Sequence, residues 1–176
     1  INLDEYAGLT KGHSQSFGYF MEQHFFSKVN IKKENIMLID GAAQAEDQCR
    51  DYDRFLEQNE IDILVLGIGN NGHIGFNEPE EAFELETHVV NLTENTIEAN
   101  ARFFASKDEV PRKAITMGIK SIMQARHILV VVSGADKADI VKAAFTGPVT
   151  PKVPASILQM HPNVSLVGDA AALSKL

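Results

Sequence analysis

The 176 residues, 44% apolar and 23% charged, suffice for one buried core and have the balance of an ordinary globular protein. A formal net charge of −8, with no basic run longer than pairs such as Lys32-Lys33 and Arg112-Lys113, argues against a broad nucleic-acid or anionic-membrane surface but not against a small anionic substrate held by a few cations. No apolar run approaches the length of a membrane span, and the single cysteine, Cys49, cannot form an intramolecular disulfide, so a cytoplasmic location in a reducing compartment is expected.

The chain opens at Ile1 with no signal-peptide pattern and reads as starting within a longer protein. Ile1 and Leu3 lead into Asp4, which is expected at the end of a sheet strand; in such a strand Asp4 and Glu5 point to opposite sides. Ser14 to Phe26 carries Phe17, Phe20, Met21 and Phe25 at helical spacing, with Ser14 or Ser16 as N-cap, and these apolar side chains are expected to pack on a sheet. Strands are predicted at Asn35–Ile39, Ile61–Leu66, Ile128–Val132 and Val164–Val167, with further candidates at Thr87–Leu92 and Ala114–Met117. The first four are near-continuous apolar runs, which points to a parallel sheet buried on both faces. Helices are predicted at Ala43–Leu56, Glu94–Phe104 and Asp136–Phe145, the last closed by Gly147 and Pro148. The alternation predicts one α/β domain over residues 1–176, a mostly parallel sheet flanked by helices. The terminal Ser174-Lys175-Leu176 matches a peroxisomal address and is read as a chance match of common residues.

Strand Ile61–Leu66 is followed by Gly67-Ile68-Gly69-Asn70-Asn71-Gly72, the G-x-G-x-x-G spacing of dinucleotide sites. That reading fails twice. Asn77 and Pro79 interrupt the long helix it requires, and the next strand ends in Asn91-Leu92 with no acidic residue for a ribose. What remains is a glycine-lined loop at the carboxyl end of a central strand, where Gly67, Gly69 and Gly72 let backbone approach a ligand. His73 and Glu78 follow at once. An imidazole with an ordinary pKa of about 6.5 can accept and donate a proton near neutrality, which makes His73 the candidate acid–base group, oriented by Glu78. The alternative is a loop histidine satisfied by backbone. The pair matches no H-E-x-x-H spacing, so neither a metal nor a cofactor is expected.

Gly67 to Pro79 (GIGNNGHIGFNEP) closely resembles the active-site segment of the glucosamine-6-phosphate deaminases, and Asn2 to Tyr6 (NLDEY) resembles their second signature. Ala101–Phe104 (ARFF), Ala114–Gly118 (AITMG), Asp136–Ala138 (DKA) and Pro154–His161 (PASILQMH) follow in the family's order. The resemblance implies a Rossmann-like fold and conversion of glucosamine 6-phosphate and water to fructose 6-phosphate and ammonium. It also implies that N-terminal strand–helix elements with a Gly/Thr-rich phosphate loop are absent here. It selects Asp4 over Glu5 as the base that moves a proton from C2 to C1, and assigns Arg102 and Lys137 to the substrate phosphate. Asn71 stands where many members carry Asp; an amide can orient an imidazole but cannot stabilise its positive charge as a carboxylate does. The other histidines, His13, His24, His88, His127 and His161, form no cluster in sequence, and Glu80-Glu81 reads as solvated surface. The partner expected is a small sugar phosphate, without nucleic acid or membrane, and a monomer is favoured over a homo-oligomer. Two competing functions are a 6-phosphogluconolactonase-like hydrolase, which needs no C–H cleavage, and a non-catalytic sugar-phosphate sensing domain. The deaminase reading requires Asp4 and His73 to serve one substrate.

Overall fold

The computed structural model describes residues 1–176. In chain order its elements are β1 (Asp4–Tyr6), α1 (Phe17–His24), α2 (Ala45–Gln58), β2 (Ile63–Leu66), β3 (His88–Asn91), α3 (Glu94–Ala101), β4 (Lys113–Thr116), α4 (Ile119–Met123), β5 (His127–Val132), α5 (Ala138–Thr146) and β6 (Val164–Gly168). Short 3-10 turns lie between them, including Ala135–Lys137 and Pro154–Met160. The chain divides into two compact units, Ile1–Tyr52 with Thr87–Thr116, and Asp53–Glu86 with Met117–Leu176. No helix is long and apolar enough to cross a membrane.

The first unit holds an antiparallel sheet in the order β1-β4-β3, registered through Asp4↔Thr116 and His88↔Thr116. Ala114 and Ile115 of the central strand are fully buried. The strand bearing Asp4 starts at that residue rather than ending there. Glu5, its neighbour, is buried, and its carboxylate accepts hydrogen bonds from the N–H groups of Tyr6 (2.9 Å), Phe17 (3.0 Å) and Gly18 (2.9 Å). It thereby satisfies two unpaired donors at the start of α1, where a negative charge also meets the positive end of the helix dipole. Ser16 completes the cap, its Oγ accepting from Tyr19 N.

Two further expectations fail in this unit. The aromatic residues expected to pack from this helix are not core: Phe20 is 54% exposed, and Phe25, which follows the helix, 48%. The helix turns its small residue Gly18 inward, against Leu38 and the Glu5 carboxylate, and a residue two positions on faces the opposite way at about 100° per residue. Phe17 stacks on Tyr6 at 5.1 Å instead. Asn35–Ile39 is not a strand. Asn35 closes a 3-10 turn, and the extended stretch after it makes a lone ladder-type bond, Asn2 N to Met37 O, although Ile39 is buried.

Glu5→Gln is expected to cost about 1.5–3 kcal/mol, the range for hydrogen bonds to a charged group. Whichever oxygen becomes an NH2 then faces a backbone donor, since Oε1 and Oε2 are both occupied. A fall in the urea midpoint at constant m measures this.

The second unit holds the parallel sheet, order β2-β5-β6, registered through Ile63↔His127 and Ile128↔Val164. Leu64, Leu66, Ile128, Val130 and Val132 form its buried face. The apolar runs predicted burial on both faces, and here the structure corrects the reading. Ile63, Val65, Val131 and Val167 are 63%, 59%, 47% and 54% exposed. Successive strand residues alternate between faces, and one face of this sheet is open. Helix α5 starts at Ala138 after the 3-10 turn, and Gly147 caps it as expected.

Candidate active site

The glycine loop leaves the carboxyl end of β2 in the second unit, and its shape follows from three local requirements. Gly72 (φ +91°) and Gly75 (φ +58°) adopt left-handed backbone that other residues enter at a cost. Gly72 N donates to Gly69 O and Gly69 N to His73 O, both at 2.9 Å, closing a tight reversal. Gly69 must lack a side chain because the His73 imidazole occupies the space its Cβ would take. A Cβ on Gly72 would press on Val153 and Ile140, whereas one on Gly67 would meet open space.

This reversal brings His73, Asn71 and Glu78 together. His73 Nδ1 lies 3.5 Å from Glu78 Oε2, with the imidazole 18% exposed and the carboxylate fully buried. Asn71 joins them, its Nδ2 donating to Glu78 Oε2 (2.6 Å) and its Oδ1 accepting from His73 N (3.2 Å). An amide suits this position: the atom facing Asn71 is itself a carboxylate oxygen, and a donor is what it needs. With Nδ1 turned to a buried carboxyl group, the imidazole is oriented from one side, the arrangement used for general acid–base work. No third His, Cys, Asp or Glu joins the pair in a cluster able to hold a metal ion.

The loop is held in place by residues that the reading of the sequence did not single out. Asn77 is buried, and its Nδ2 donates to Ile74 O (2.9 Å) and to Met117 O (2.8 Å), tying the loop to the segment before α4. Its place inside the GFNEP motif was the available signal. Gly72 O accepts from Ala155 N at 2.8 Å, which anchors the loop to the Pro154–Met160 turn and gives that motif a structural task.

Lys137, at the last position of the 3-10 turn before α5, reaches the same loop. Its Nζ donates to Ile68 O at 2.8 Å and to the Asn70 side chain. His161 is structural, buried with its Nε2 on Ala125 O at 2.8 Å. Glu81 pairs at the surface with Lys152.

In the first unit Asp4 is half-buried on β1, and its pKa is pushed up to about 7, chiefly by desolvation and secondarily by the Glu5 charge. The negative charge of Asp4 in turn adds to the upward shift that burial gives Tyr6 and Tyr52. Arg102 caps the carboxyl end of α3; it is exposed, and its guanidinium lies 4.7 Å over the Phe103 ring.

Residues 8–166 match the family of glucosamine-6-phosphate isomerases/6-phosphogluconolactonase. The chain belongs to this family. Among its relatives, the glucosamine-6-phosphate deaminase of Thermoanaerobacter pseudethanolicus is 53% identical over 176 residues, covering 99% of this chain and 70% of the relative. That of Lachnoclostridium phytofermentans is 54% identical over 169 residues, covering 95% of this chain and 72% of the relative. A solved structure of a monomeric glucosamine-6-phosphate deaminase superposes with a TM-score of 0.96 at 42% identity, covering 99% of this chain and 73% of that one. The α/β class expected from the strand–helix alternation, and the Rossmann-like fold implied by the resemblance, are thus the fold of the family, and the antiparallel sheet of the first unit is part of it.

Proposed function

We propose that this chain is a glucosamine-6-phosphate deaminase, an enzyme of amino-sugar breakdown that converts glucosamine 6-phosphate and water to fructose 6-phosphate and ammonium. The observation that carries the reading is Asp4, a carboxylate whose pKa of about 7 lets it both take and return a proton near neutrality. The deaminase relatives at 53–54% identity support the same choice. Hydrolysis of a lactone needs no such base, because no C–H bond breaks.

The reaction divides among the side chains as follows. His73, held through Nδ1 by Glu78, takes the proton of the anomeric hydroxyl and delivers one to the ring oxygen, opening the pyranose. Asp4 removes the C2 proton, the C–H electron pair forms the C1=C2 bond of the enolamine as the C1=O pair moves to O1, which takes a proton, and return of a proton to C1 lets the nitrogen lone pair form an imine at C2. Water adds to that carbon, and the C–N bond breaks with nitrogen leaving as ammonium. Lys137 and Arg102 are assigned to the phosphate: both are cations, and Lys137 stands just ahead of α5. Gly67, whose Cβ direction is open, is assigned to the substrate-facing backbone of the loop, with Gly69 and Gly72 shaping it. We place the reaction in the cytosol, where a single cysteine meets no oxidising demand, and take the working form to be a monomer, as the solved relative is named.

Incubation of the full-length protein that contains this chain with glucosamine 6-phosphate in D2O is expected to yield ammonium together with fructose 6-phosphate carrying solvent deuterium at C1. Absence of both products sinks the reading. Hydrolysis of 6-phosphogluconolactone without any C–H exchange identifies the hydrolase instead, and tight binding without turnover identifies a sensor.

A further inference from the structure

We propose that Asp169 is a positioning residue for the substrate phosphate, holding in place the turn that presents Lys137. The inference rests on the assignment of Lys137 to the phosphate. Asp169 follows β6 directly, at the carboxyl end of the parallel sheet, next to the end of its neighbour β5. One carboxylate oxygen, Oδ2, accepts from Ser133 Oγ at 2.7 Å and from Gly134 N at 3.0 Å, and the other, Oδ1, accepts from Ala172 N at 2.8 Å. Ser133 and Gly134 are the two residues between β5 and the 3-10 turn Ala135–Lys137.

The turn they introduce needs such a clamp. Gly134 sits at φ +98°, a conformation an ordinary residue avoids, and Lys137 N closes the turn on Gly134 O at 3.1 Å. The Lys137 backbone is thus tied to the C=O of Gly134, while the N–H on the other side of the same glycine is held by Asp169. On the other side, Ala172 is fully buried and Leu173 N bonds Asp169 O at 3.1 Å, so the carboxylate is itself mounted on a packed turn. Asp169 touches neither the glycine loop nor His73 in any of these bonds, and it carries the sign of charge that a phosphate avoids. Its effect on the substrate runs through Lys137. A carboxylate that fixes a cation-bearing turn by backbone contacts raises affinity without joining the chemistry, because a cation already aligned loses less freedom when the anion arrives.

The test measures kcat, KM and the competitive inhibition constant of inorganic phosphate for the wild type, Asp169→Ala, Asp169→Asn, Lys137→Ala and the double variant Asp169→Ala/Lys137→Ala. Asp169→Ala is expected to raise KM and the phosphate constant about tenfold, roughly 1.4 kcal/mol, with kcat within about twofold. Asp169→Asn, which keeps an oxygen acceptor, is expected to recover part of the loss, and the double variant to bind phosphate no more weakly than Lys137→Ala alone. An unchanged phosphate constant in Asp169→Ala, when Lys137→Ala raises it, overturns the proposal and leaves the phosphate assignment standing. So does a fall in kcat and melting temperature with KM unaltered, the mark of a merely structural residue; Asp169→Asn decides the matter should the alanine variant not fold. Phosphate constants unchanged in Lys137→Ala as well overturn the assignment and the proposal together.

Discussion

Asp4→Asn is expected to lower kcat by about 10²–10⁴-fold, the usual contribution of a positioned general base. Asparagine keeps the volume and the β1 geometry but has no site for the C2 proton. Substrate binding is expected to change little, so the loss should appear in kcat rather than KM. The pH dependence gives a second reading of the same group. A base acts deprotonated, so the wild-type rate should climb with pH along a limb centred near 7 and level off above it. Because the Glu5 charge contributes to that raised value, Glu5→Gln should move the limb to lower pH. The stability sign runs the other way. An acid whose folded pKa lies above its ordinary 3.8 binds its proton more tightly when folded, so its contribution is present in full below 3.8 and is lost as pH rises towards 7. Each pH unit within that window costs about 1.4 kcal/mol while the group differs between the two states. Asp4→Asn should therefore flatten the decline of stability between those pH values even as it removes activity. A variant retaining more than half of the wild-type kcat, with the acidic limb in place, assigns the proton transfer to another group.

Much of the loop geometry was legible because it is local. The spacing of Gly69, Gly72, His73 and Glu78 fixes a tight reversal, and a reversal of that length brings an imidazole and a carboxylate together with few alternatives. Parallel strands were legible from β-branched runs, and Ser16 was a cap that hydroxyl chemistry predicts. What failed depended on contacts distant in sequence. Phe20 satisfies helical spacing, but which face of α1 turns inward was decided by Gly18 and by a carboxylate 13 positions away, and Phe25 falls where the helix has already ended. Ile63 and Val65 have the composition of doubly buried strand residues, and composition cannot say what lies on each face of a sheet. Asn35–Ile39 has strand composition but only a single backbone bond to a neighbouring segment. The backbone-binding tasks of Glu5, Asn77 and Asp169 were not legible because a carboxylate or amide that binds backbone N–H or C=O groups has no sequence period. The convergence of Asp4 and His73 on one substrate remains part of the proposal, and the Asp4 and Gly69 variants address its two halves.

Gly69→Ala is expected to reduce kcat/KM by about 10²-fold or more, since misplacing a reacting group by about 1 Å can cost that much. One methyl group produces this because the imidazole of His73 lies where the new Cβ must go. The backbone at Gly69 lies outside the left-handed region, so alanine fits the chain itself, and the clash falls on the ring alone. The ring is partly exposed and can swing outward, which breaks its 3.5 Å approach to Glu78 and, in the proposed reaction, takes the acid–base group off the anomeric oxygen. Stability should respond weakly: loss of glycine freedom in the unfolded chain favours the variant by about 0.4–1 kcal/mol, which offsets part of the cost of moving the ring. Gly67→Ala is the matched control for stability, because its Cβ meets nothing within 4 Å, and it should raise the melting temperature slightly through the same loss of unfolded-chain freedom. If the loss at Gly69 acts through His73, then Gly69→Ala combined with His73→Ala should be no slower than His73→Ala alone. Additive losses in that pair instead give Gly69 a contact of its own with the substrate, and an active Gly69→Ala removes the imidazole from the ring-opening step.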